Sequence, residues 1–443
     1  MSKLQRYSKL KNMLKNLTLL LIIGFTISGF SSYAQSLESQ LKEIGFDSLR
    51  SFTLYSERYD IGFELFINQP LDHQNSETEN FRQRVILRHR GYDRPTVFVT
   101  EGYAAGYALN ENYDEELAEV LDANLIVIEH RYFGKSVPVN KEWKHLNLAN
   151  ATADLHRINQ YLKQIYHGPW ISTGISKGGQ TTIYYRYFYP DDVIASVPYV
   201  APLNFSVADK RVYHFQDTVA TSDCRNKLQN LQRDLLERRD VFEPMFADSS
   251  SKRKLTFDMV GGIGKAYEYN VLEMGFAYWQ WYPIGCEGLP EPGGDSKEVF
   301  NAFIASSGYD FFADQSILVF QPFFYQALTE MGFYAYETKP FKDLLVHVEK
   351  TSFNHTLPEG VKAKYSKRLS KKTNRWLQKK GNNILFIYGE YDAWSSTAVL
   401  PGKKTNAIKL VLPKGSHVTR LSHFDDITRN MAISKLKEWI GQN

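Results

Sequence analysis

The strongest constraint in this sequence is a serine set in the turn between a short apolar strand and a helix. Residues 170–174 (WISTG) read as a strand, and Ser176 follows inside Gly174-Ile175-Ser176-Lys177-Gly178. A helical stretch then runs to Tyr189, where Pro190 closes it. A chain passes from strand to helix in so few residues only with a strained turn, and Gly174 and Gly178 remove the Cβ atoms that would clash with the flanking chain. The serine hydroxyl then stands at the carboxyl end of a strand. The first amides of the helix point toward it, with the N–H of Lys177 placed to bind a developing oxyanion. The bare pattern recurs by chance; between a strand and a helix it is a turn that exposes a nucleophile.

The surroundings supply a sheet for that turn. Residues 52–69 alternate in places like antiparallel strands (FTLY, then IGFELFINQ), and residues 84–89 and 96–100 read as two more strands. A helix over 115–121 leads into the apolar run 125–128, whose β-branched residues suit a strand buried on both faces. A helix over 149–166, the strand before Ser176 and a strand at 193–200 continue the alternation expected of a parallel sheet wound with helices. From about 205 to 380 the chain is mostly helix-like, including a long stretch at 223–246 and an aromatic piece at 276–283 (FAYWQWYP). Strand patterns return at 384–388 and 407–412, before a terminal helix at 426–440. An α/β core, 35–204 and 381–443, interrupted by a helical cap insertion, 205–380, accounts for this order.

A serine at neutral pH needs a base, and the base needs an orienting acid. The strand at 384–388 is followed by Gly389-Glu390-Tyr391-Asp392, and the strand at 407–412 by Pro413-Lys414-Gly415-Ser416-His417. An acid after one strand and a histidine after the next, in the order serine, acid, histidine, is the arrangement of an α/β hydrolase. Asp392 and His417 are the leading candidates, while Glu390 and His423 remain competitors. A second oxyanion donor belongs in the loop after 96–100, where Gly102 allows close approach and the N–H of Tyr103 comes into view.

Charge and composition bound the setting. The formal +4 comes from 53 basic and 49 acidic side chains, yet Lys3, Arg6, Lys9, Lys11 and Lys15 all precede the first acid, Glu38. Without residues 1–34, 48 basic side chains would stand against 49 acidic ones, so the charge offers no case for a nucleic-acid partner. Residues 1–15 resemble a signal n-region, and 17–30 (LTLLLIIGFTISGF) form an apolar run too short and polar for a stable membrane anchor. Ser32-Tyr33-Ala34 suits cleavage between Ala34 and Gln35, which predicts export to the periplasm or the extracellular space. Two cysteines, Cys224 and Cys286, could pair across 62 residues or stay buried as thiols. No Cys/His cluster suggests a metal, and no cofactor is expected.

Residues 129–136 (EHRYFGKS) resemble a signature of the secreted serine peptidases related to lysosomal Pro-X carboxypeptidase and dipeptidyl peptidase II. Residues 174–179 (GISKGG), 101–103 (EGY) and 414–417 (KGSH) more closely resemble the bacterial prolyl tri/tetrapeptidyl aminopeptidase family. The resemblance runs from about Phe63 to Leu421. Lys177 departs from the aromatic residue that follows the serine in the carboxypeptidase branch. The resemblance implies an exported α/β hydrolase with a helical cap. Such an enzyme releases short peptides, typically tripeptides, from free amino termini with a preference involving proline. By motif it implies Ser176 as nucleophile, Asp392 as orienting acid and His417 as base. A charged amine calls for a carboxylate at the blind end of a pocket. Glu101, Glu129 and Glu273 are candidates, and Trp279 and Trp281 are candidates to stack on a proline ring or close the pocket; packing within the cap is the alternative for each aromatic. An esterase or lipase on the same fold, or a non-catalytic binding protein on a hydrolase scaffold, are the competing functions.

Overall fold

The computed structural model describes residues 37–75 and 77–442; the expected signal segment, 1–34, lies outside them. Nine strands form one sheet. They are β1 (Phe46–Phe52), β2 (Ile61–Pro70), β3 (Asn80–His89), β4 (Thr96–Thr100), β5 (Asn124–Ile128), β6 (Trp170–Ile175), β7 (Ala195–Tyr199), β8 (Leu385–Gly389) and β9 (Ile408–Leu412), ordered β1-β2-β3-β5-β4-β6-β7-β8-β9. The pairs from β1 to β3, and β3 with β5, are antiparallel. From β5 to β9 every pairing is parallel, the α/β-hydrolase arrangement.

Burial on both faces explains the composition of the central strands. In β4 and β5, Val97 pairs with Leu125 and Val99 with Val127, and these four join one core with Leu436 of the terminal helix, Asp426–Trp439. Phe98 and Ile126 turn to the opposite face, where Ile158 of helix Leu148–Leu162 covers them. Each such side chain contributes about 1.5–3 kcal/mol by leaving water.

Two elements differ from expectation. The first strand lies at Phe46–Phe52, not at 52–55. Its sequence FDSLRSF buries only Phe46 fully, so pairing with β2, and not alternation of its own side chains, determines where it runs. The helix expected over 223–246 is two helices, Ser222–Glu237 and Arg239–Lys252. They break at Arg238 (φ −93°, ψ 37°), whose guanidinium turns back onto Asp234.

Between β7 and β8 the chain makes a helical excursion with its own core. Leu231, Phe246, Tyr267, Phe303 and Phe324 belong to that core. Its central member is the helix Ile263–Trp281, buried almost continuously from Ala266 to Trp279. Cys224 and Cys286 are disulfide-bonded, with Cα atoms 5.4 Å apart, tying helix Ser222–Glu237 to the segment after that central helix. The last helix of the excursion, Arg368–Lys380, packs Leu377 in the same cluster as Tyr184 and Phe386. That helix thus lies with the sheet layer, so the separate helical core ends short of residue 380.

Candidate active site

Ser176 sits at the end of β6 with φ 57° and ψ −120°, a backbone conformation that costs a non-glycine residue on the order of 1–3 kcal/mol. Hydrogen bonds hold the turn in it: the Ser176 amide donates to the Tyr199 carbonyl at 2.9 Å, and the Gln180 amide donates to the Ser176 carbonyl at 2.8 Å. The turn also needs glycine at Gly174, where a Cβ would lie 2.5 Å from the Gly178 carbonyl. Helix Lys177–Phe188 begins immediately, so the Lys177 amide belongs to the first turn, where amides have no intrahelical acceptor.

The loops after β8 and β9 bring Asp392 and His417 together. Nδ1 of His417 lies 2.9 Å from Oδ2 of Asp392, and both residues are buried. Asp392 is held in turn by the Trp394 amide, which donates to Oδ1 at 3.0 Å, so the acid caps the short turn Ala393–Thr397. The His417 amide donates to the carbonyl of Gln280 at 2.8 Å, and its ring meets Trp281 edge-on at 5.5 Å. Ser176 and Trp281 line one cavity, which lies between the strand ends and the helical excursion. The competitors point elsewhere. Glu390 is exposed and accepts the Lys414 amide, and His423 is exposed beside the Arg420 amide.

The loop after β4 lies against the serine turn. A Cβ on Gly102 would stand 2.7 Å from Cβ of Lys177, so glycine permits the approach. The buried Nζ of Lys177 donates to the Gly102 carbonyl at 2.6 Å and lies 5.5 Å and 5.3 Å from the rings of Tyr103 and Phe133. Burial pushes this ammonium down to about 7, against the opposing pull of Glu101 and Glu330. The Tyr103 ring lines the cavity, while its backbone amide, the candidate oxyanion donor, faces the Glu101 carboxylate.

The candidate amine anchors separate sharply. Glu273 lines the cavity with Ser176, 4% exposed, and accepts hydrogen bonds from Tyr334 (2.8 Å) and Tyr336. Burial pushes its carboxyl up to about 8, although the Tyr336 and Tyr334 hydroxyls pull the other way. Glu129 does not reach the cavity. It is fully buried beneath β3, ion-paired with Arg84 and accepting from the Ala105 amide, the Lys135 amide and the Ser136 hydroxyl, so its bonding is internal to the fold. Glu101 accepts from the Tyr107 hydroxyl and the Gly102 amide, and loss of solvent raises its pKa. Trp279 is 1% exposed and packs against Tyr282 and against Tyr391 of the loop after β8; of these two tryptophans it is Trp281, 48% exposed, that lines the cavity.

Several cavity residues carry no motif. Tyr334 stacks on Phe276 at 3.7 Å, and Phe333 and Trp394 close the aromatic wall. The alternating tyrosines of Phe333-Tyr334-Ala335-Tyr336 were the one available signal for the Glu273 partners. Among the described residues no group of three His, Cys, Asp or Glu side chains is arranged to hold a metal ion, and no helix is long and apolar enough to cross a membrane.

A sequence model of the PS-10 peptidase S37 family matches residues 40–443. Prolyl tri/tetrapeptidyl aminopeptidase of Streptomyces mobaraensis is 32% identical, over 84% of this chain and 79% of its own length. Lysosomal Pro-X carboxypeptidase of Mus musculus is 24% identical over 95% of this chain and 97% of its own. Among solved structures, proline iminopeptidase of Mycobacterium smegmatis aligns over 85% of this chain and 98% of its own, with 12% identity and a TM-score of 0.39.

Proposed function

Because the chain belongs to the PS-10 peptidase S37 family, it is a serine peptidase, and we propose that it is an exported exopeptidase releasing short peptides, chiefly tripeptides with a proline preference, from free amino termini. The observation that carries this reading is Glu273, a buried carboxylate lining the same cavity as Ser176. A carboxylate shut inside an aromatic wall is costly unless it meets a positive partner, and the amino terminus of a peptide is such a partner. The name of the Streptomyces relative, prolyl tri/tetrapeptidyl aminopeptidase, supports the same reading. The disulfide between Cys224 and Cys286 suits an oxidising compartment.

In this mechanism the Ser176 hydroxyl attacks the scissile carbonyl while His417 takes its proton through Nε2. Asp392, on the Nδ1 side at 2.9 Å, holds the ring and stabilises its charged form. The Lys177 amide binds the oxyanion, and the Tyr103 amide joins it only by giving up the Glu101 carboxylate it faces in the resting site. Collapse of the tetrahedral intermediate expels the shortened peptide as an amine, protonated by His417, and leaves an acyl-enzyme that water hydrolyses. The helical excursion serves as the cap, with Glu273 holding the ammonium and the aromatic wall taking the proline ring.

A peptide library with free and acetylated amino termini tests this directly. Short peptides released from free termini, with cleavage lost on acetylation, are expected; ester turnover with no peptide cleavage would replace the reading by an esterase. Ser176→Ala should lower turnover by about 10⁶-fold and abolish labelling by a fluorophosphonate.

A further inference from the structure

Two amide side chains that line the cavity each carry a buried polar atom without a partner among the described residues. Gln180, one turn along the helix from Ser176, is 2% exposed, and Asn204, beyond the end of β7, is 1% exposed. Both line the cavity with Ser176. Nε2 of Gln180 and Oδ1 of Asn204 have no hydrogen-bond partner among the described residues. Buried polar atoms are ordinarily paired, and an orphan in a binding cavity marks a place that a ligand completes.

Both positions are rigidly held. The Gln180 amide is bonded to the Ser176 carbonyl at 2.8 Å. The residues on either side of Asn204 are tied down: the Leu203 amide donates to the Thr397 carbonyl at 2.9 Å, and the Phe205 amide to Asp209 at 2.9 Å. Gly332 makes room for Asn204, since a Cβ there would lie 2.6 Å from Cβ of Asn204.

We propose that Gln180 and Asn204 form a backbone clamp that reads one residue of the peptide substrate, Gln180 donating to its carbonyl and Asn204 accepting from its N–H. In an extended chain the N–H and C=O of one residue point to the same edge, the geometry by which paired strands exchange two hydrogen bonds. This inference rests on the tripeptide-releasing reading above, and that reading identifies the residue. The carbonyl of the residue before the scissile bond goes to the oxyanion donors. The nitrogen of the first residue is the ammonium on Glu273. The residue whose N–H and C=O are both left for the clamp is the second. Proline has no N–H, so the clamp excludes proline from the second position while leaving it free to occupy the third, next to the scissile bond.

The test uses two tripeptidyl aminocoumarins ending in proline, identical except that one carries an ester oxygen in place of the second residue's N–H. The full-length protein should release coumarin from the amide about 10- to 100-fold faster in kcat/KM than from the ester analogue, because the analogue leaves Oδ1 of Asn204 without a partner. Asn204→Asp, which keeps an acceptor, should retain the discrimination, and Asn204→Leu should reduce the ratio to within a factor of about three. Asn204→Ala, a smaller apolar change, replaces Asn204→Leu if a melting curve shows that the latter does not fold. A purely structural asparagine would lower both rates together and leave the ratio intact. An unchanged ratio in the apolar variant, or none in the parent, overturns the clamp. No coumarin from either peptide, although the protein labels with a fluorophosphonate, overturns the exopeptidase reading and the clamp with it.

Discussion

Replacing Glu273 by glutamine removes the charge proposed to hold the substrate while keeping the shape of the side chain and an oxygen for the Tyr334 and Tyr336 hydroxyls. Burial places the carboxyl at about 8 in the empty cavity, so at pH 7 ionising it for the incoming ammonium costs about 1.4 kcal/mol. Against that stands the loss from leaving one member of a buried ion pair alone, about 3–5 kcal/mol. The difference, about 1.6–3.6 kcal/mol, predicts that Glu273→Gln lowers kcat/KM for free tripeptides by roughly 15- to 450-fold at pH 7. Acetylated peptides, with no ammonium, should scarcely notice the change. The pH profile gives an independent reading. Below about 8 the resting carboxyl is protonated and must release its proton to form the pair, so log kcat/KM carries a contribution rising with pH at a slope near one until the carboxyl ionises. Above that, the substrate amine, which titrates near 8 in model peptides, begins to lose its own charge. In the glutamine variant the rising contribution disappears. Initial rates on free and acetylated coumarin tripeptides between pH 5.5 and pH 9, at saturating and limiting substrate, measure all of this. A variant with parental kcat/KM, the same penalty for acetylation and the same pH profile would refute the ammonium role.

The same raised carboxyl makes a stability prediction. Its folded pKa lies above its unfolded one, so the protonated form's contribution is fully present below about 4.5 and is lost as pH rises through about 8. Glu273→Gln should therefore be the more stable protein by several kcal/mol at pH 9 and indistinguishable at pH 4, read from denaturant midpoints. Trp279→Ala should cost about 3–5 kcal/mol of stability in urea melts, as a large buried side chain does, whereas Trp281→Ala should leave the melt almost unchanged and raise KM. Reducing the Cys224–Cys286 bond, which closes a loop of 62 residues, should lower unfolding stability by about 4 kcal/mol, measured with and without a thiol reductant.

What could be read from residue order and what could not follow from the range of the interactions. The strand ends and the loops after them are local, and so Ser176, Asp392 and His417 could be singled out before any coordinates, each lying just past an apolar run bounded by glycine or proline. Asp392 could be preferred over Glu390 because Glu390 lies nearer the strand end and Asp392 is followed by the loop-like Ala393-Trp394; the cap it makes with the Trp394 amide emerges only in the folded chain. The proposed amine anchor was not legible. Glu101, Glu129 and Glu273 are equivalent as letters, and only tertiary contact shows that Arg84 and three donors from the chain occupy Glu129. The helix Ile263–Trp281 is buried nearly all round from Ala266 to Trp279, so its hydrophobic pattern identifies no outward face. For that reason Trp279 and Trp281 could not be told apart. Gln180 and Asn204 belong to no motif, and their unpaired atoms emerge only when every neighbour is in place. The first strand was misplaced because an edge strand with one fully buried residue carries almost no periodic signal.

The hydrogen bond from the His417 amide to the carbonyl of Gln280 joins the two layers of the molecule at the histidine itself. The side chain of His417 is referenced to the sheet through Asp392, and its main chain to the helical excursion. Its position therefore registers whether the two layers are correctly seated. A displacement of the helix Ile263–Trp281 that widened the cavity would have to break that bond or carry the main chain of His417 with it. The bond thus couples the seating of the helical excursion to the loop that carries His417.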